Sequence, residues 1–111
     1  MEPDVRDLAV TILRFVDEHQ PGSVECQFAD AEGRIHKVVE KIPVVTSADL
    51  WRDSAYPQPG IIRCEVLEQW SDAEGKGLVR ITTDRPWGVE STEGLTEFVV
   101  GIAELAEPGK P

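Results

Sequence analysis

One tetrapeptide occurs twice in this chain, as Asp30-Ala31-Glu32-Gly33 and as Asp72-Ala73-Glu74-Gly75. An aspartate opening a type I turn can accept hydrogen bonds from the backbone ahead of it, and a glycine at the end supplies positive φ. Such a turn followed by a left-handed glycine is the common three-residue hairpin loop with a bulge. The flanks agree. Val24, Cys26 and Phe28 alternate with Glu25 and Gln27 before the first turn, and Ile35, Val38 and Val39 follow it. Ile61 to Trp70 leads into the second turn and Leu78 to Thr83 leads out. Period-two patterning bounded by a turn reads as a β-hairpin. An aromatic stands two residues before each Asp, Phe28 and Trp70, and prolines 43 and 86 close the outgoing strands. Internal duplication and independent use of one good turn both account for the match.

The register of the first hairpin has two solutions. The bulged turn pairs Phe28 with His36 and Cys26 with Val38, which puts thiol and imidazole on one face. A two-residue loop pairs Val24 with Val39 and Phe28 with Ile35 and turns His36 over. Turn chemistry favours the first and apolar matching the second.

Val5, Leu8, Ile12 and Val16 fall at helical spacing, yet residues 9 to 16 are rich in β-branched and aromatic side chains. The segment reads as a strand, with a helix over 4–19 as the alternative. Residues 47–60 lack periodicity and carry Trp51, Tyr56, Pro57 and Pro59; Ser47 or Asp49 is placed to cap one helical turn through Arg52. Residues 84–94 contain Pro86-Trp87-Gly88, a tight turn with an aromatic, followed by Glu90 and Glu93. Thr96, Phe98, Val100 and Ile102 alternate as a last strand, and 105–111 reads as a frayed tail. The expected fold is mainly β: a small antiparallel barrel or sandwich of five to seven strands, one domain over 1–111.

Against 11 basic side chains stand 21 acidic ones, a net charge of −10, and the basic residues form no run. Nucleic acid and anionic membranes are therefore not expected partners, whereas a basic protein is. Nothing resembles a signal peptide or a membrane span, so the expected location is cytoplasmic. Cys26 and Cys64 read as reduced thiols among apolar neighbours.

No metal or cofactor is expected. His19, His36, Cys26 and Cys64 show no ligand spacing; Gly75-Lys76-Gly77 is too short for a phosphate loop; Asp-Ala-Glu-Gly lacks the alternating acids of a calcium loop. Ser91 lies outside any nucleophile elbow. Glu90 or Glu93 beside Trp87 is the carboxylate arrangement worth inspecting.

Recognition by surface remains. Trp51, Tyr56 and Trp87, with Asp49, Asp53, Glu90 and Glu93 around them, make an aromatic, acidic patch if the two loops meet at one pole. The reading is a small acidic interaction module for a basic protein, immunity- or antitoxin-like or an adaptor. A small-molecule or hydrolytic site between loops 47–60 and 84–94, and an oligomerisation subunit, are the alternatives.

Overall fold

In the computed structural model, which describes residues 2–19 and 21–109, the chain forms one curled antiparallel sheet, a half-barrel. The strands are β1 (Val5–Asp17), β2 (Ser23–Ala29), β3 (Ile35–Lys41), β4 (Gln58–Ser71), β5 (Gly77–Thr82), β6 (Glu97–Gly101) and β7 (Leu105–Ala106), with one helical turn, α1 (Ile42–Val45). Their spatial order is β3-β2-β1-β4-β5-β6, and β7 pairs with β1. No helix of the described residues is long and apolar enough to cross a membrane.

β1 is the spine, so the strand reading of residues 5–16 holds and the helix over 4–19 does not form. It pairs with β4 over Val5 to Ile12 on one side, and on the other with β7 at Asp7 and Leu8 and with β2 from Thr11 onward. Two partnered edges outweigh a weak helical period. Bulges in β1 between Ile12 and Arg14 and between Phe15 and Asp17, and in β4 between Val66 and Glu68, bend the sheet into its curl. Leu8, Ile12, Val24, Cys26, Ile62, Val79, Ile81 and Val100 fill its concave side.

The bulged-turn register is the one adopted: Phe28 pairs with His36 and Cys26 with Val38. Asp30 Oδ1 accepts the N–H groups of Glu32 and Arg34 at 2.9 and 3.0 Å, and Gly33 sits at φ 83°. Asp72 does the same for Glu74 and Lys76, both at 2.9 Å, with Gly75 at φ 82°. A third copy, unseen in the sequence, is Ser91-Thr92-Glu93-Gly94. There Ser91 Oγ replaces the carboxylate, accepting from Glu93 and Leu95, and Gly94 lies at φ 82°. The repeat stops at the hairpins: carrying the offset of the two Asp turns back from them would lay β1 on residues 47–59, most of which are loop.

The first turn alone has a further partner. His36 is 3% exposed and its Nε2 meets Asp30 Oδ2 at 2.8 Å, while Nδ1 is buried with no partner among the described residues. The imidazole packs 5.4 Å from the Phe28 ring and 4.8 Å from Phe98, which is itself edge-on to Phe28 at 5.0 Å. Ala31 N–H donates to Val99 C=O, and Thr92 N–H to Lys37 C=O, both at 2.8 Å. These bonds and the ring cluster draw the β3 and β6 edges together.

Two expectations are corrected. The helical turn is at 42–45 and not between 47 and 52, because Pro43 suits a first helical turn and Ile42 and Val45 have core to bury against. The tail is not frayed over 105–109; residues 110 and 111 lie outside the described residues. After β6 the chain makes a 3₁₀ turn (Ile102–Glu104), which ends the expected strand before Ile102, and crosses to β1. Buried Asp7 then holds it: Oδ1 accepts from Arg63 Nε at 2.9 Å and Oδ2 from Gly109 N–H at 2.8 Å, while Arg63 donates to Gly109 C=O at 3.1 Å.

Burial alone would raise the Asp30 carboxyl, but the His36 bond and the Arg34 and Glu32 N–H groups outweigh it and hold the group below its ordinary value. A depressed carboxyl stabilises fully above its unfolded value, about 3.9, and the contribution fades as pH falls through the lower folded value. Urea unfolding at neutral pH should show Asp30→Ala costing about 2–3 kcal/mol and Asp72→Ala about 1 kcal/mol, since only the first also strands a buried imidazole. The acid limb of the stability profile should be shallower in Asp30→Asn than in the parent. Arg63→Ala should cost about 3 kcal/mol by leaving the Asp7 carboxylate short of its counter-charge, with loss of hydrogen-exchange protection at the Gly109 amide.

Candidate functional site

Trp51 is the most exposed large apolar residue of the described chain, at 61%. Its backbone is nonetheless fixed. Trp51 N–H donates to Ser54 Oγ at 2.9 Å, and its carbonyl accepts from Ser54 N–H at 3.2 Å and from Tyr56 Oη–H at 2.7 Å. The Tyr56 ring is half-buried against the core, so this residue positions Trp51 from below. Beside the indole runs a groove of about 350 Å³ with Phe15, Ile42, Pro43 and Leu50 among its walls. Gly22 lets Phe15 lie where it does, because a Cβ there would come within 2.9 Å of the ring. The groove also includes the acids Glu18 and Asp49 and the cation Arg52, whose Nε meets Glu18 at 2.9 Å and whose guanidinium lies 5.3 Å from the centre of the Phe15 ring. Asp53 follows, exposed.

Trp87 is elsewhere. Its ring, 46% exposed, packs under the Arg63 guanidinium at 5.0 Å, and Arg63 is the partner of Asp7. Trp51 shares its groove with Phe15, so the indoles attach to β1 at positions eight residues apart. Along an extended strand that is on the order of 25 Å. The structure thus brings Trp51 and Tyr56 together with Asp49, but not with Trp87, and loops 47–60 and 84–94 do not enclose a common cleft. Topology decides this: each loop packs on a different stretch of the long central strand. Glu90 and Glu93 are both exposed, Glu93 within the third turn, and neither forms an ion pair among the described residues.

A second groove, of about 520 Å³, opens between the end of β2 and the chain crossing to β7. Thr11, Gln27, Asp30, Lys76 and Glu104 contribute its polar groups. Asp30 has little left to offer a ligand, since Oδ1 already takes two backbone N–H groups and Oδ2 takes His36. Ser91 Oγ is likewise committed to two N–H groups of its own turn. Cys26 and His36 face the same side, but His36 turns its Nε2 to Asp30. Among the described residues no three His, Cys, Asp or Glu side chains converge as a metal site would require.

Sequence reading missed the floor of the Trp51 groove, which is assembled from β1, the 21–22 corner, α1 and the 49–52 turn; no one-dimensional pattern links these. It also missed the third turn, for which a signal exists: a small acceptor residue, any residue, Glu, then Gly.

Both thiols are buried. Desolvation, the larger cause, and acidic neighbours push each up to about 12. Ellman's reagent at mildly alkaline pH should therefore label neither cysteine in the folded protein and both in urea. Rapid labelling of the folded form would show that one of them is reachable and ionised.

No family model, no curated protein and no solved structure matches the chain. Its function is read from the geometry of its own surfaces.

Proposed function

We propose that this protein is a small acidic recognition module whose Trp51 groove receives an apolar side chain from a basic protein partner. The supporting observation is Trp51 itself: an indole mostly in water, on a backbone held by three hydrogen bonds, beside an apolar-walled groove. Exposed aromatics of this kind are the usual anchors of interfaces, because a ring that is already fixed loses little entropy on binding. Charge supports the sign of the partner. Within the groove Glu18 is neutralised by Arg52, whereas Asp49, in the groove, and neighbouring Asp53 have no cation among the described residues. These local acids at the groove attract and orient a cationic surface.

A Trp70→Phe/Trp87→Phe variant leaves Trp51 as the sole tryptophan, excited selectively at the red edge where Tyr56 does not absorb. Titrated with a short peptide alternating lysine with leucine, it should show a saturable change in Trp51 emission. Trp51→Ala should weaken the binding, read by anisotropy of labelled peptide, about tenfold or more. Trp87→Ala should leave it unchanged, and salt raised from about 0.05 to about 0.5 M should weaken it about tenfold. Affinity indifferent to both Trp51 and salt would remove this reading.

A further inference from the structure

Fixing the register by the turn has a consequence on the convex side of the sheet. Ile35 and Val39, which the alternative register would have matched with Phe28 and Val24, point outward at 50% and 42% exposure. Leu95, at 40%, belongs to the neighbouring segment, which Thr92 and Val99 tie to β3 and its turn. The residues between are cationic: Ile35, Lys37, Val39 and Lys41 alternate hydrocarbon and charge along the outward side of one strand, with Lys41 half-buried at its end. Every other arginine has a carboxylate at salt-bridge distance, namely Arg6, Arg14, Arg52, Arg63, Arg80 and Arg85. Arg34, Lys37, Lys41 and Lys76 have none among the described residues, and three of these four cations are on β3 or just before it. The strand behind adds no free acid to this face: Ala29, Gln27 and Glu25 lie opposite Ile35, Lys37 and Val39, and Glu25 is held by Arg14. Glu32 in the turn, Glu40 at the far end of β3 and Glu93 beside Thr92 are the nearest acids in sequence or along the seam, and Asp17, in line with Lys41 through Ser23, is the nearest across the sheet and is bonded to His19. Strand propensity alone accounts for an outward Ile or Val. It does not place the unpaired cations of a strongly acidic chain between them.

We propose that the outer face of β3 is a docking surface for an acidic protein segment in extended conformation, whose carboxylates meet Lys37 and Lys41 while its apolar side chains cover Ile35, Val39 and Leu95. The β3 edge is taken at Lys37 by the Ser91 turn, and beyond it the edge suits a partner in extended conformation. Bulged-turn pairing directs the even-numbered backbone groups of β3 toward β2 and the odd-numbered ones away. Lys37 C=O, turned to Thr92, is an instance, and Val39 N–H and C=O point the same way without a backbone partner among the described residues. An extended partner would satisfy the Val39 groups and set its alternate side chains against the stripe. Single-stranded nucleic acid is the poorer match. It needs aromatic rings to stack on, the stripe has none, and a phosphate backbone would leave Ile35 and Val39 uncovered. The chain's remaining acids do not forbid an acidic partner, because charges beyond about 8 Å are largely screened at physiological salt. β3 runs directly into Ile42 and Pro43 of the Trp51 groove, so the two surfaces adjoin. Opposite in charge, they stand independently: the failure of one leaves the other standing.

The test uses three labelled probes: a short peptide alternating glutamate with valine, the same peptide with lysine for glutamate, and an oligothymidylate of matching charge. Anisotropy should show saturable binding of the glutamate peptide. Lys37→Glu/Lys41→Glu should weaken it about tenfold, as should Ile35→Ser/Val39→Ser, while Trp51→Ala leaves it unchanged. All four altered β3 positions carry outward side chains, and an unchanged urea midpoint verifies folding. The proposal is overturned if the glutamate peptide does not saturate, if neither double variant weakens it, or if the oligothymidylate binds as well and loses as much in Lys37→Glu/Lys41→Glu. A dimer of the parent chain that Ile35→Ser/Val39→Ser dissolves would assign the face to a second copy and overturn it too.

Discussion

Two hydrogen bonds to one carboxylate oxygen, Asp30 Oδ1, decide which residues of the first hairpin face inward. Had apolar matching prevailed, Ile35 and Val39 would lie inside and His36 outside. The turn prevails because Asp30 and Gly33 act locally, before any distant contact exists, and a one-residue slip would forfeit both bonds and the glycine's place at positive φ. The chain then accommodates an imidazole in its core. It does so with the same residue: Asp30 Oδ2 takes His36 Nε2 and the Phe28 and Phe98 rings flank it. Aromatic contacts of this kind contribute about 0.5–1.5 kcal/mol each beyond their buried area. They offset part of the cost of the orphaned Nδ1. The second hairpin shows what the His adds. Its turn is bonded identically, but Leu78 stands where His36 does, and Asp72 has no side-chain partner among the described residues.

Closure follows from the same place. The Asp30 turn presents Ala31 N–H to Val99 on β6, and the Ser91 turn presents Thr92 N–H to Lys37 on β3. Two loops of one geometry thus bridge the two edges of a curled sheet without a continuous ladder. The far side is tied differently. Asp7 and Arg63 grip the N–H and the C=O of Gly109, a side-chain pair acting as a strand would. Trp87 covers Arg63, so this indole serves the strap that secures the tail.

The sequence revealed what depends on short range. Both Asp hairpins, the strand class of the chain and the two possible registers are all readable from residues within about ten positions of one another. What was not readable depends on topology. Trp51 and Trp87 looked like one patch because both sit in proline-containing loops beside acids; only the pairing of β4 with β1 reveals that they attach to different stretches of the same strand. The tail read as frayed because Glu107, Pro108 and Gly109 carry no pattern, whereas its anchor, Asp7, is a hundred residues away. α1 escaped for another reason: Ile42, Val44 and Val45 have poor helix propensity, and tertiary burial overrides it.

Charge is sorted by side-chain type as well as by place. Arginine's rigid, multidentate fork suits it to sheet-wall ion pairs, and Arg80 lies between Glu68 and Glu97 while Arg14 reaches Glu25 with two nitrogens. Exposed pairs like these contribute little to stability, about 0–1 kcal/mol. Their effect is to neutralise much of the barrel wall and leave the uncompensated charge in defined places: acids in the turns and near Trp51, cations along β3. A net charge of −10 is therefore a poor description of any one face of this molecule. A partner within a Debye length meets a local sign, and on β3 that sign is opposite to the total.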